Sequence, residues 1–458
     1  MLTRSEDLIR RVYLQSAPSA CMDLGTTAIE FSAGGTTYRA DAHVELRFAP
    51  FDRLLFSLTW DDITPVLDHL PSLLPQGPML RLSLPDQHGA WFDAFPIHIG
   101  SSGAVFRPHS SVITLTPHRD DLTNATFHVF NLPDFHGPDD YLIVGSDSND
   151  ALDRCGRAIL KANGWKVTVA GFKATGGLEQ ALRAHGGYVI THMGSVERID
   201  GSTFSSEQLT QALYCVRLFL SLCLGRWTGV ALPVAVNDKN DRVFEQWGIP
   251  QVAPNAWSGS GSWFDEHHGE LLSQVFPGFY ARWKDPLWTQ ALETALYWYV
   301  CANDRGYGVG VDAALILAQT ALECLAWTYC VQERRMVSDS AFSRRGLSAA
   351  DRIRMLASAL EIPVDLPRNL AALTIPDGRA ASDIPDAITS VRNTLVHPAK
   401  GNGFAEDTYY EAWRSAMWLL DLALLRLCGH GGRYANRLAD GRWAGELSTV
   451  PWSKEGSK

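Results

Sequence analysis

At 458 residues, 46% hydrophobic and 20% charged, the chain has the composition of an ordinary folded protein with two or three domains, which excludes a disordered or low-complexity polymer. Its net charge of −10 is unevenly spread: residues 331–458 carry 17 Lys and Arg against 15 Asp and Glu, leaving 23 against 35 for the first 330. A broad basic face for coating nucleic acid is thereby excluded, whereas a small site gripping a few nucleotides is not.

Residues 20–130 read as β structure. Segments 28–31 and 37–48, joined by Ala33-Gly34-Gly35, have the pattern of a hairpin, and 54–60, 79–84, 94–99, 112–115 and 127–130 continue it between Pro, Gly and Asp. Several short strands at this spacing predict a β-sandwich-like domain over residues 1–138. Residues 139–262 read as mixed α/β, with strands at 141–144, 165–169 and 187–191 and helices at 150–162 and 178–184. A longer amphipathic helix follows at 205–224, with Ser205 or Ser206 as its N-cap, and 248–262 has the Gly, Pro, Ser and Asn content of a linker or exposed loop.

Residues 263–458 read as a bundle of helices. Asp285-Pro286 predicts a helix start, Asp312 opens the next helix, and Ser348-Ala349-Ala350-Asp351 has the form of a capping box. The last helix places Tyr410, Trp413, Met417, Leu420, Leu424 and Leu427 on one seam. The fold class expected is therefore multidomain α+β. The eight cysteines include no C-x-x-C pair and read mostly as buried free thiols. Residues 1–7 lack signal-peptide character, and the apolar run 213–224 is too short to span a bilayer, so a cytoplasmic protein with no membrane partner is expected.

The chemistry concentrates in Arg392-Asn393-Thr394-Leu395-Val396-His397, which precedes Pro398. A fixed cation, an amide and an imidazole suit phosphodiester cleavage: the Arg holds a phosphate, the His moves a proton near neutral pH, and the Asn orients one of them. On a helix Ile388, Val391 and Leu395 share the buried face, while Arg392 and His397 lie about 140° apart. They converge on one phosphate if His397 sits in a distorted last turn, which the following proline favours. They also converge if two copies of the helix face each other across a dimer axis. A His at a helix C-terminus otherwise serves as a cap that favours the dipole.

This string resembles the R-x(4–6)-H motif of HEPN domains. The surrounding residues, roughly 275–458, resemble the ApeA-like branch of that superfamily found in bacterial anti-phage defence. The resemblance takes in Glu323 on its helix, the motif itself, and the tail Arg433-Tyr434-Ala435-Asn436-Arg437 running on to Val450-Pro451-Trp452. It implies a HEPN helical bundle, Arg392, Asn393 and His397 as catalytic residues, a homodimer, and RNA (tRNA among the candidates) as substrate. Cleavage needs no metal or cofactor and is triggered by a phage component. Glu323 is expected to support the site by pairing with Arg392. The other reading is a non-catalytic protein in which the bundle dimerises and the β domain recognises a ligand or phage component.

Other motifs carry less. His118-Arg119-Asp120 with Asn124 lacks the spacing of a kinase catalytic loop, and Asp134-Phe135-His136-Gly137 is not D-F-G. Asp265-Glu266-His267-His268-Gly269-Glu270 is dense in metal-ligand types but lacks H-E-x-x-H spacing. Gly306-Tyr307-Gly308-Val309-Gly310 joins two helices and has no following Lys-Ser/Thr, so it reads as a turn and not a phosphate cradle.

Overall fold

The computed structural model describes residues 13, 15, 17–33, 36–48, 53–59, 80–85, 90–100, 102–116, 118–144, 152–171, 175–250, 256–257, 261–303, 310–343, 346–370, 372–373, 381–397, 404–441 and 443–453. Gly34-Gly35 of the expected hairpin and most of the 306–310 glycine turn lie outside them. The layout is α+β, strand-rich at the N-terminal side and helical at the C-terminal side.

The N-terminal strands do not form a sandwich. β1 (Met22–Ala33), β2 (Thr36–Arg47), β3 (Arg53–Thr59), β4 (Leu80–Leu84), β5 (Ala90–Gly100) and β6 (Gly103–Pro108) close into a barrel in the order β1-β2-β3-β6-β5-β4. Closure follows from β1, which pairs along its length with β2 and by its other edge with β4 through Glu30↔Ser83 and Phe31↔Leu82. A register shift beside Gly25 (φ +97°) lets this long strand bend around the barrel. Alternate residues such as Phe31, Val44, Phe56 and Phe106 fill the interior.

Nine strands follow: β7 (Val112–Thr114), β8 (Asn124–Phe130), β9 (Tyr141–Val144), β10 (Leu152–Cys155), β11 (Arg157–Ala162), β12 (Trp165–Gly171), β13 (Ile190–Arg198), β14 (Gly229–Val236) and β15 (Arg242–Gly248). Seven of them form one antiparallel sheet in the order β11-β12-β13-β8-β14-β15-β7, and β9 pairs with β10. The sheet draws in β7 and β8 from the N-terminal side of the expected boundary at residue 138. The helix expected over 150–162 is instead β10 and β11 within the described residues. Burial alternates at Ala158 and Leu160, and Asn163 (φ +47°) and Gly164 (φ +78°) make the left-handed two-residue turn that sends the chain back as β12.

Two helices accompany the sheet, α1 (Thr175–His185) and α2 (Ser206–Leu224). Ser205 caps α2 in a full capping box with Gln208, and Gly225 ends it in the left-handed region. Alternation on β8 joins two cores: Ala125, Phe127 and Val129 pack with α2 and the C-terminal helices, whereas Phe130 packs with the barrel interior.

The C-terminal part comprises α3 (Glu270–Lys284), α4 (Thr289–Asn303), α5 (Val311–Ala326), α6 (Asp339–Ser343), α7 (Ala349–Ala359), α8 (Ile384–Val396) and α9 (Glu406–Leu427). α5 runs on into a π-helical stretch, Trp327–Glu333. Val311–Glu333 is long and apolar enough to cross a membrane, and its apolar face, including Leu315, Ala318, Leu322 and Leu325, is buried in the helical core. Ser348 caps α7 in the expected box. The helix expected at Asp285-Pro286 starts at Thr289, after a turn in which the Asp285 carbonyl accepts from Trp288 and Thr289 N–H. Of the α9 seam, Trp413, Met417, Leu420, Leu424 and Leu427 are buried and Tyr410 is exposed. α3 meets the end of α9 so closely that a Cβ on Gly278 would lie 1.7 Å from the Cys428 carbonyl oxygen.

One polar network is sealed in this core. Asp421 on α9 binds the Arg437 guanidinium and accepts from Tyr299 Oη at 2.6 Å. Arg437 also donates to Asn303 Oδ1 at 2.9 Å, and Asn303 donates in turn to the carbonyls of Gly225 and Gly261. The tail that carries Arg437 is clipped down by β16 (Arg433–Tyr434) against β17 (Ser448–Thr449), and Trp452 donates to the His430 carbonyl at 2.7 Å.

Candidate active site on the motif helix

α8 is anchored firmly at its start. Asp383 accepts from Asp386 N–H at 2.8 Å as N-cap, Pro385 lies in the first turn, and Arg354 of α7 grips the Asp383 carboxylate at 2.6 and 3.1 Å. Ile384 N–H bonds the Val364 carbonyl at 2.8 Å, fixing where the chain enters. Ile388 and Val391 are buried as the spacing requires, and Leu395 is half-buried at the core margin.

The far end is different. His397 leaves helical geometry (φ −131°, ψ 73°) while its N–H still reaches the Asn393 carbonyl at 3.0 Å, and its ring is exposed. This is the distorted last turn expected of a residue preceding proline. Arg392 and Asn393 are half-buried. Arg392 Nη1 donates to Asn393 Oδ1 at 3.4 Å, so the amide touches the guanidinium and not the imidazole. Among the described residues, the buried Arg392 Nε has no hydrogen-bond partner and no carboxylate is ion-paired with this cation.

Glu323 does not pair with Arg392. It accepts from Arg352 Nη1 at 3.1 Å and from Gln319 Nε2 at 2.8 Å. The reason is positional: Gln319 lies one turn earlier on α5, and α7 packs against α5 with Arg352 facing the carboxylate. Arg352 and Gln319 were not legible as site residues. The signal available was a Gln-x-x-x-Glu pair within an otherwise apolar helix.

Helices α5, α7 and α8 pack against one another, and each leaves a buried polar atom unmatched: Gln319 Oε1, Arg352 Nε, Thr389 Oγ1 and Arg392 Nε. Unpaired buried donors and acceptors are costly and concentrate where a ligand or solvent completes them. Two of the four, Arg352 Nε and Arg392 Nε, are guanidinium donors that lack an acceptor among the described residues.

The remaining described motifs are tied into local hydrogen bonds and packing. His118 bonds Asp120 at 2.9 Å and Ser206 Oγ at 3.2 Å beside the start of α2. Phe135 stacks on the buried His192, and Asp140 holds Arg154 at 2.6 Å. His267 and His268 bond Asp265 and Glu270, each at 3.0 Å, and a Cβ at Gly269 would meet the Phe135 ring at 2.7 Å. Among the described residues no three His, Cys, Asp or Glu side chains are grouped to hold a metal ion.

Comparison with known proteins divides the chain along similar lines. Residues 118–258 match the YopA central domain and residues 285–449 the YopA C-terminal domain. Both matched regions carry the YopA description. The second spans the motif on α8 together with Glu323 and Arg437, and the barrel precedes the first. Over 275 residues the chain is 29% identical to the SPbeta prophage-derived uncharacterized protein YopA of Bacillus subtilis strain 168. That alignment covers 59% of this chain and 60% of the relative, less than two thirds of either. No solved structure matches the chain.

Proposed function

We propose that the helical part is a HEPN-type domain and that the protein is a metal-independent endoribonuclease acting in anti-phage defence from the cytoplasm. The observation that supports this reading most is Arg392, a guanidinium with a buried Nε and no carboxylate partner among the described residues, five residues along the chain from an exposed imidazole. In the reaction the RNA 2′-OH attacks the adjacent phosphorus and the P–O5′ bond breaks, leaving a 2′,3′-cyclic phosphate and a 5′-OH. His397 takes the 2′-OH proton or returns one to the leaving oxygen. Arg392 neutralises the phosphoryl oxygens, and Asn393 holds the guanidinium in place. A homodimer brings two copies of α8 to one cleft, and the barrel and sheet sense the trigger or restrain the site.

The test is cleavage of total RNA and of tRNA by purified wild type and His397→Ala in EDTA, with and without phage lysate, followed by end-group analysis. Wild-type cleavage with cyclic phosphate ends, lost in the variant, is the expected result. Equal cleavage by both proteins overturns the assignment of His397. No cleavage by either under any condition favours the non-catalytic binding protein.

A further inference from the structure

A second polar site lies well away from the motif in sequence, at the seam between the sheet and the helices. The β11–β12 turn, the end of β13, the first turns of α2 and the end of α3 enclose a cleft of about 160 Å³. Two cations line it, Arg198 and Lys284, and no carboxylate is among its lining residues. The Arg198 guanidinium carbon lies over the Trp165 ring, 3.8 Å from its centroid, a cation–π contact that holds the group at the cleft. It makes no ion pair with a described residue. Lys284 lies over the Trp283 ring and donates to Gln211 Oε1 at 3.1 Å, an uncharged partner that leaves the ammonium unneutralised.

The floor is pre-set. Tyr280 lines the cleft beside Asn163 and Trp165, and burial raises its pKa, so it stays a neutral hydroxyl. Gln211 and Asn163 add amide groups at the rim. Two unneutralised cations converging with amides and a phenol match an oxyanion with several acceptor oxygens. The cleft has room for a phosphate group and accompanying waters.

From these features we infer that the cleft binds a phosphate group, free or carried by a monoester, held between Arg198 and Lys284 with any organic part projecting through the open side. Because its walls come from both the sheet and the helices, an occupant ties the two together. The inference concerns binding alone and is independent of the cleavage reading.

Isothermal titration of the full chain tests it, using inorganic phosphate, ribose 5-phosphate, adenosine 5′-monophosphate and, as an uncharged control, adenosine. The phosphorylated probes should bind and adenosine should not, and Arg198→Gln or Lys284→Gln should each weaken binding roughly tenfold, the loss of one charge-assisted contact. Equal binding of phosphate and its esters identifies a free-anion site; tighter binding of an ester identifies a phosphorylated metabolite. Either supports the inference. No binding of any phosphorylated probe, or binding unchanged in both variants, overturns it. Lys284→Gln is decisive if Arg198→Gln unfolds, because Lys284 is exposed at the end of α3.

Discussion

Two arginines of the helical part differ in how they are satisfied. Arg437 is fully enclosed, and its guanidinium is matched by Asp421, Tyr299 and Asn303. Its charge is held yet more strongly than usual: burial opposes it, and the Asp421 carboxylate outweighs that opposition. Arg392, with a weak amide contact and a buried Nε that has no partner among the described residues, is satisfied far less completely. A closed network of this kind specifies architecture, since every member depends on the others. An open one leaves donors available to solvent or a ligand.

Substitutions should separate the two. Asp421→Ala or Arg437→Ala strands a buried charge and should lower unfolding free energy by about 3–5 kcal/mol in denaturant titration. The pair replaced together by apolar residues should cost less than the sum of the singles. Arg392→Met, by contrast, removes a cation that the fold does not satisfy. It should leave the melting temperature unchanged or higher while lowering RNA cleavage by roughly 10²–10³-fold. Loss of stability comparable to Arg437→Ala would make Arg392 a structural residue and remove the contrast.

The sheet offers a third kind of buried polar group, intermediate between these. His192 is enclosed against Phe135 with Nε2 unpartnered, and His128 is enclosed with its Nδ1 on the Leu232 carbonyl at 3.1 Å. Burial lowers their pKa values to about 3 and about 4. The unfolded chain protonates these rings near 6.5, so it binds more protons than the fold on the acid side. Stability is therefore complete above about pH 6.5 and is lost as pH falls toward the folded values, by a few kcal/mol per ring. His192→Phe keeps the stack and removes the titration, so its acid limb should be shallower in melts between pH 7.5 and 4. An unchanged limb would assign the acid sensitivity elsewhere. The smallest effect is expected at Glu323, a partly exposed carboxylate shared by Arg352 and Gln319. Glu323→Gln should cost under about 1 kcal/mol and leave cleavage within a few-fold, because the residue does not touch Arg392.

Local chemistry was legible without the fold. The N-cap at Ser205 or Ser206 (the structure uses Ser205), the capping box at Ser348, the buried face of α8 at Ile388 and Val391, and the break in helix at His397 all follow from neighbours within a few residues. So does the motif as a set of candidate groups, because an Arg, an Asn and a His near a helix end have the same chemistry in any fold. What pairs across the chain was not legible. Closure of the barrel through Glu30↔Ser83 depends on the cumulative bend of strands, and residues 157–162 became a strand because β12 and β13 offered a sheet edge. Likewise, only packing decided that Glu323 belongs to Arg352 and that Asp421 waits for Arg437. Short-range hydrogen bonding and periodicity are written into adjacent residues, whereas ion pairs and sheet edges are settled by which distant segments share one volume.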